Sequence, residues 1–206
     1  MMELMILYEV VGVPGCIQLI DWFEDYQTIF YVMERFVNCV DMFCVVKDSP
    51  LDEIVARNFF RQIVKATMQC HDAGVLHNDL KIENVLVDLD TGKIKLIDFG
   101  AATLLRGGEY TESPGTELNA PPEWFAKRQY EAIPMTVWTL GLLLYIMVCD
   151  EYPFGNAEET CGGRLQFPET MSSDLRHLLE MMLSVDPEKR PILEDIIRHP
   201  WLNKKL

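Results

Sequence analysis

The sequence is poor in positive charge. It has 18 lysines and arginines against 32 aspartates and glutamates, a formal net charge of −14 at pH 7. Such a surface repels nucleic acid and anionic membranes, so we expect neither as a partner, and it attracts basic proteins. An equally good explanation of the composition is that the acidic residues only keep the protein soluble.

Cysteine patterns that form disulfide frameworks or zinc sites are also missing. No C-x-x-C pair occurs, and most of the cysteines lie in apolar stretches. This usage predicts reduced, buried thiols in an intracellular protein. We therefore expect a cytoplasmic protein, with the nucleus as a second location. The six cysteines are Cys16, Cys39, Cys44, Cys70, Cys149 and Cys161.

No hydrophobic run is long enough to cross a membrane. The longest, "VWTLGLLLYIMVC" at residues 137–149, has 13 residues, whereas a spanning helix needs about 20. It predicts a helix that is buried on all sides. The first 15 residues contain Glu3 and Glu9 but no basic residue, so we expect no secretory signal.

Local patterns predict a few strands followed by a helical body. A short helical start precedes two strand-like runs, residues 16–25 and 28–36, that flank a polar turn. A second hairpin is predicted around the Asp-Thr-Gly turn at residues 90–92. Residues 106–124 are rich in Gly, Pro, Ser and Thr and predict a long, ordered, functional loop. From Pro134 onward the pattern is helical.

Residues 49–74 predict the longest amphipathic helix. Ser49 is its expected N-cap with Pro50 in the first position, and Glu53 completes a capping pattern. Gly74 is expected to end the helix. Four apolar positions follow helical spacing roughly and are expected on its buried face: Ile54, Phe59, Ile63 and Met68.

The densest group of polar residues is "HNDLKIEN" at residues 77–84, which a "DFG" follows at residues 98–100. Phosphoryl transfer needs a group that accepts a hydroxyl proton, cations that offset phosphate charge, and oxygen ligands for Mg²⁺. The two motifs match the register H-R-D-L-x-x-x-N and D-F-G except at Asn78. Asp79 or Asn84 alone would more simply cap a turn. Their joint spacing, with a hairpin between the motifs, favours phosphoryl transfer.

Longer segments resemble the Pim-type serine/threonine protein kinases. They include "CHDAGVLH", "KLIDFGAATLL", "PPEW" and "VWTLGLLLYIMVCDEYPF". The resemblance implies an α+β, protein kinase-like fold that consists mainly of the helical C-terminal lobe. Residues 1–36 would form a partial N-terminal lobe, with a remnant of helix C and two or three strands, and residues 37–206 the helical lobe. The hinge would lie at residues 33–38, and residues 98–123 would form the activation segment.

The resemblance also implies catalytic roles. Asp79 matches the catalytic base, Lys81 the residue that neutralises the transferred phosphate, and Thr116 a threonine that hydrogen-bonds both. Asn84 and Asp98 match the Mg²⁺ ligands, and their oxygens are donors of the kind that this ion prefers. A buried ion pair between Glu123 and Arg190 is expected to fix the activation segment to the helical lobe.

ATP is the expected cofactor, together with Mg²⁺. By resemblance, Met33 is the gatekeeper and Glu34 offers a backbone carbonyl to the adenine. Phe36 stands where Pim-type relatives have proline, which has no N–H, so we expect Phe36 to offer a second hinge hydrogen bond. Leu86 and Ile97 would form the floor under the base, although plain core packing explains both equally.

Basic Ser/Thr-containing proteins are the substrates that the resemblance implies. Glu83 matches an acid that contacts an arginine of the substrate, and Asp41 matches a second one, although a solvated surface acid is an equal interpretation of Asp41. A third expected acid is Cys44 here, which weakens that preference. We expect the protein to act as a monomer.

The sequence departs from the kinase pattern at three points. It contains no Gly-rich loop and no lysine of the V-A-I-K type, so Glu3, which matches the acid that pairs with that lysine, lacks its partner. Asn78 replaces the arginine that usually answers an activation-loop phosphate, so control through Thr111 or Ser113 is not expected. Thr136 stands in place of a common aspartate, as in the Pim-type family.

Three functions remain open at this point. The chain is part of a serine/threonine kinase whose preceding portion is not in this sequence, or it is a pseudokinase-like module that binds basic partners. A metabolite phosphotransferase is a distant third, because "PPEW" and the long loop disfavour it. We expect weak or no catalysis from the 206 residues by themselves.

Overall fold

A computed structural model describes residues 2–204. The chain starts with α1 (Met2–Glu9) and continues into an antiparallel hairpin of β1 (Leu19–Asp25) and β2 (Thr28–Met33). Both predicted strands are present, but they are shorter than expected, and residues 34–38 connect the hairpin to the rest of the chain. Almost every residue of β1 is exposed on both faces. The hairpin is therefore a thin outer layer, stabilised in part by stacking of Phe23 on Phe30 at 4.8 Å between ring centroids.

The next segment builds the sheet that carries the catalytic motif. It contains β3 (Cys39–Asp41), α2 (Met42–Val46), α3 (Glu53–Asp72), β4 (Val75–Leu76), β5 (Val85–Asp88) and β6 (Ile94–Leu96). The strands β5 and β6 form the predicted hairpin, and β3 pairs antiparallel with β5 to give the order β3-β5-β6. "HNDLKIEN" therefore lies between β4 and β5, and "DFG" follows β6 directly.

Two short strand pairs hold the long loop. The strand β7 (Thr103–Leu104) pairs with β4, and β8 (Glu109–Tyr110) pairs with β9 (Tyr130–Glu131) beyond α4 (Pro122–Lys127). The prediction of an ordered loop is thus confirmed, because both pairs connect the loop to the body of the protein.

The remainder is helical, as predicted. It contains α5 (Ala132–Cys149), α6 (Ala157–Gly162), α7 (Ser173–Met182), α8 (Leu193–Arg198) and α9 (Pro200–Asn203). By length and composition α5 could cross a membrane, but 78% of it is buried inside the protein. It is the central helix of the core, in contact with both α3 and α7.

The N-terminal segment packs onto the same core. Ile6, Leu7 and Val10 belong to the cluster of buried residues that also includes residues of α3, α5 and β6. Gly15 O accepts a hydrogen bond from Leu96 N, and Ile17 N donates to Leu96 O. Backbone hydrogen bonds therefore join the segment after α1 to the hairpin of β5 and β6, which lies between the two motifs and is called the catalytic hairpin below.

The predicted start of α3 is wrong by three residues. Asp52, not Ser49, is the N-cap, and its Oδ1 accepts a hydrogen bond from Ile54 N at 2.7 Å. Leu51 N donates to Met147 O on α5, and Ser49 N donates to Val46 O in the turn that follows α2. Glu53 does not close a capping box: its carboxylate accepts hydrogen bonds from Ser172 and Trp201.

The predicted buried face of α3 is also partly wrong. Ile54 is 48% exposed, since it lies in the first turn where the helix leaves the core. Phe60 and Val64 are fully buried instead, together with the correctly predicted Ile63. The true buried face is Ala56, Arg57, Phe60, Ile63, Val64, Ala66, Thr67 and Cys70.

The prediction of buried thiols holds for only part of the set. All six cysteines are free; Cys16 and Cys70 are buried, Cys39 and Cys149 are half-buried, and Cys44 and Cys161 are exposed. Cys44 lies in α2, where an apolar run did not lead to burial, and Cys161 lies in α6 among polar residues and glycines.

Candidate active site

The carboxylate of Asp79 is the centre of the site. It lies in the loop between β4 and β5 and is 8% exposed. Its Oδ2 accepts a hydrogen bond from Lys81 Nζ at 2.7 Å and one from Asn84 Nδ2 at 3.2 Å. Its Oδ1 accepts a hydrogen bond from Thr116 N at 2.9 Å. The four residues that the sequence predicted as catalytic are therefore in direct contact.

Thr116 joins this group from the activation segment. Its Oγ1 accepts a hydrogen bond from Lys81 Nζ at 2.9 Å, so the lysine connects the threonine to Asp79. The approach is close because the preceding residue is Gly115: a Cβ built there would lie 2.5 Å from Asp79 Oδ1. Sequence reasoning missed Gly115, although the glycine in "PGTE" was the available signal.

The electrostatics keep Asp79 ionised. Burial opposes its ionisation, but the hydrogen bonds from Lys81 and Thr116 outweigh burial and hold the pKa of the carboxyl below its ordinary value. A negative charge beside an ammonium group is thus the stable state of the site. The carboxylate is available as an acceptor for a hydroxyl proton.

His77 connects the catalytic loop to "DFG". Its Nε2 lies 3.0 Å from Ile97 O, and its ring packs on Phe99 with 4.8 Å between centroids. Burial lowers the pKa of this imidazole, so the ring is neutral and Nε2–H donates to the carbonyl. The histidine is a structural connection and not an acid or base of the site.

Asn84 and Asp98 offer the two oxygen donors expected for a divalent cation. Asn84 Nδ2 donates to both Asp79 O and Asp79 Oδ2, which leaves Asn84 Oδ1 without a hydrogen bond among residues 2–204. Asp98 is exposed and in the left-handed region at φ 61°, and within the described residues its Oδ1 accepts a hydrogen bond from Gly100 N alone. One amide oxygen and one carboxylate fit a hard cation, and the chain would hold it with these two residues.

Met33, Glu34 and Phe36 of the hinge are half-buried and lie beside the catalytic hairpin. Met33 ends β2, and Glu34 N donates to Gln18 O. The carboxylate of Glu34 binds Lys95 Nζ at 2.5 Å, a side-chain role that the sequence did not predict. Lys95 also lies 5.4 Å above the ring of Phe36. Neither Glu34 O nor Phe36 N takes part in a backbone hydrogen bond within residues 2–204.

The predicted floor residues lie on the catalytic hairpin or directly after it. Leu86 is opposite Lys95 in the β5–β6 pair, and Ile97 N donates to Asn84 O. Both side chains are half-buried. Burial and the carboxylate of Glu3 raise the pKa of Tyr31 on β2. No cation forms an ion pair with Glu3 in the part of the chain that the structure describes.

The two acids predicted to bind substrate, Glu83 and Asp41, differ in their structural surroundings. Glu83 is exposed, in the turn before Asn84, and its charge and that of Asp79 both raise the pKa of Tyr152, after burial as the main cause. Glu83 is therefore a solvent-accessible acid directly before the candidate metal ligand Asn84. Asp41 caps α2, with its Oδ1 accepting from Cys44 N at 2.7 Å, so it has a structural role whether or not it binds substrate.

The predicted ion pair of Glu123 with Arg190 is confirmed. The two terminal guanidinium nitrogens, Nη1 and Nη2, donate to the carboxylate, each at 2.7 Å, and the arginine side chain is fully buried. Arg190 also donates to Ser184 O and Pro134 O and lies 5.0 Å from the centre of the Trp138 ring. The end of the activation segment is therefore fixed to the helical body.

These features define a class of protein. A buried carboxylate, a lysine and a threonine meet beside two oxygen donors, on a helical body that anchors an ordered segment. This is the arrangement of a protein kinase. Residues 1–202 match the family described as "Protein kinase domain", and the chain belongs to this family.

Its relatives are serine/threonine kinases. The chain is 42% identical over 193 residues to "Serine/threonine-protein kinase pim-2" of Danio rerio, covering 93% of the chain and 62% of that protein. It is 41% identical over 209 residues to "Serine/threonine-protein kinase prk-2" of Caenorhabditis elegans, covering 99% and 47%. The chain thus spans about half to two thirds of the length of these relatives, and it is a member of the serine/threonine kinase class by family.

Proposed function

We propose that the protein transfers the γ-phosphate of ATP to serine or threonine in basic peptide segments, with Mg²⁺ as the metal, and that it acts as a monomer. The observation that carries this proposal is the set of contacts around Asp79. Its ionised carboxylate would accept the proton of the substrate hydroxyl, and Lys81 would offset the charge of the transferred group. The bound cation would neutralise charge on the ATP phosphates, held by Asn84 and Asp98.

The first experiment measures phosphate transfer from Mg-ATP to an arginine-rich serine peptide by the purified 206-residue chain. The matched variant is Asp79→Asn, which keeps the shape of the side chain but loses the charge. We expect transfer to fall by about 10²-fold or more, the scale of general base catalysis. Equal transfer by the variant contradicts the role of Asp79. Light scattering of the same sample tests the monomer.

Basic substrates are supported by Glu83, an exposed acid at the edge of the site, and by the net charge of −14. Glu83→Gln is expected to raise KM for the arginine peptide but not for the same peptide with alanine in place of arginine. Glu180→Gln on α7, equally exposed, is the control. If KM for both peptides responds alike, Glu83 does not recognise the arginine.

Asp41 needs a separate design because it caps α2. Asparagine caps a helix about as well as aspartate, so Asp41→Asn removes the charge and keeps the cap. A higher KM for the arginine peptide at unchanged stability supports substrate contact. An unchanged KM leaves Asp41 with its capping role alone.

The free N–H of Phe36 supports a hinge hydrogen bond to the adenine. Phe36→Pro removes this N–H, whereas Phe36→Leu keeps it and removes only the ring. We expect KM for ATP to rise about fivefold in the first variant beyond the second, as one lost hydrogen bond implies. A nucleotide-bound structure with no contact to Phe36 N contradicts the proposal.

A pseudokinase-like binding module is the second candidate, and one observation favours it. Glu3 has no cationic partner within residues 2–204, so the described chain offers no lysine from this side to the ATP phosphates. No transfer and no shift of the unfolding temperature with Mg-ATP would favour the module. Transfer that Asp79→Asn abolishes would exclude it.

A further inference from the structure

Asn78 connects three parts of the protein that the catalytic arrangement requires. It precedes Asp79, is 8% exposed, and has a left-handed backbone at φ 63°, a region that asparagine tolerates better than most residues. Its Nδ2 donates to Ala101 O at 3.3 Å, just after "DFG". Its Oδ1 accepts from the hydroxyl of Tyr130 at 3.0 Å. Both the nitrogen and the oxygen of the Asn78 side-chain amide thus form hydrogen bonds, at the position that departs from the kinase pattern.

Tyr130 extends this connection into the activation segment. It lies on β9 opposite Tyr110 on β8, and the two rings stack with 5.6 Å between centroids and 11° between planes. Trp124 packs edge-on against Tyr130 with 6.0 Å between ring centroids. Burial raises the pKa of Tyr130, so its hydroxyl stays protonated and donates.

Tyr110 fixes the segment further. Its hydroxyl accepts from Arg106 N at 2.8 Å and lies 3.2 Å from Leu104 O, and the guanidinium of Arg106 lies 4.5 Å from the centre of its ring. Six residues beyond Tyr110 stands Thr116, which contacts Asp79 and Lys81. The stack therefore holds the segment directly before the residue that completes the site.

We propose that Asn78 and Tyr130 are positioning residues, whose hydrogen bond holds the activation segment in its catalytic arrangement. This inference rests on the proposed kinase function and adds how the segment is held. The hydroxyl of Tyr130 anchors the β8–β9 pair to the residue before the base, which seats Thr116 on Asp79.

The test removes the hydroxyl alone, with Tyr130→Phe. We expect kcat to fall about five- to tenfold, as the loss of one buried hydrogen bond implies, while KM for ATP is unchanged. Amide exchange of residues 103–117 should accelerate by a similar factor. Tyr145→Phe removes another buried hydroxyl, bonded to Gln166 O at 2.6 Å, and should leave both quantities unchanged.

A double-mutant cycle separates the pair from general destabilisation. Asn78→Gly removes the side chain and tolerates the left-handed backbone. In that background Tyr130→Phe should change kcat and exchange by less than about twofold, because the partner is already gone. Additive effects, or effects equal to those of Tyr145→Phe, overturn the inference.

If the 206 residues transfer no phosphate, that result bears on the proposed function alone, and amide exchange in the cycle still decides whether the pair holds the segment.

Discussion

At the residue scale, Gly115 decides how closely the activation segment approaches Asp79. An added Cβ would lie 2.5–2.7 Å from the atoms of the Asp79 side chain. A carboxylate held by Lys81, Thr116 and Asn84 cannot move aside without breaking hydrogen bonds. The space is therefore closed to any side chain.

We predict that Gly115→Ala lowers kcat by about tenfold or more, because a displaced base loses its alignment. The matched control is Gly107→Ala in the same segment, where an added Cβ meets nothing within 4 Å. The measurement is peptide phosphorylation with Mg-ATP, together with the unfolding temperature. Equal kcat for the two variants would show that the contact is not restrictive.

At the scale of elements, α3 shows how a cap is chosen by tertiary contacts. Ser49 and Asp52 are both suitable caps by residue type. The backbone of Leu51 is bound to α5 through Met147 O, so the helix begins only after it. The sequence offered two caps, and packing against another helix selected one of them.

We predict that Asp52→Ala lowers the free energy of unfolding by about 1 kcal/mol, the usual value of an N-cap. Ser49→Ala, at an equally exposed position, should change it by less than about 0.5 kcal/mol. Urea denaturation followed by circular dichroism measures both. The reverse order of the two effects would restore Ser49 as the cap.

The anchor between α4 and the segment after α7 is a second feature at this scale. Glu123 and Arg190 form a two-bond ion pair in which the arginine is fully buried. Removing one partner leaves the other charge buried and uncompensated, which is the costly case. The pair therefore fixes the end of the activation segment.

We predict that Glu123→Gln lowers the free energy of unfolding by about 3–5 kcal/mol. Lys189→Gln breaks the exposed pair with Asp186, whose atoms are 3.5 Å apart, and should cost less than about 1 kcal/mol. Denaturant titration compares the two. If the two variants lose similar free energies of unfolding, Arg190 is not left as an uncompensated buried charge.

At the scale of the whole molecule, histidines with a lowered pKa set the response to acid. Burial is the main cause that lowers the pKa of His71, His77 and His199. In the unfolded chain all three titrate at about 6.5. Below that pH the unfolded state binds protons that the folded state does not. The free energy of unfolding therefore decreases as the pH falls below about 6.5 and is fully regained above that pH.

We predict that the free energy of unfolding decreases from pH 7.5 to pH 5.5, by at most about 1.4 kcal/mol per pH unit for each histidine. His71→Gln should make this decrease smaller, because one of the three groups no longer titrates. Thermal unfolding at both pH values measures it. A decrease that is the same in the variant would assign the effect to other groups.

Much of the site could be predicted from the sequence because its residues are close in the chain. Asp79, Lys81 and Asn84 lie within six residues, and their spacing alone places them in one loop. Gly115 and the Asn78–Tyr130 bond could not be predicted in this way. Each joins residues that are 36 or more positions apart, and only the packing of the activation segment brings them together.

The sequence by itself determined the class of protein and the residues around Asp79, because a short loop with fixed spacing allows few arrangements. It also determined the central helix α5, since a run that is apolar on all sides must be buried. The tertiary structure alone decided which residue caps α3, how Glu34 and Lys95 pair, and how Asn78 connects the catalytic loop to β9. These contacts cross between elements, and their geometry depends on how the elements pack.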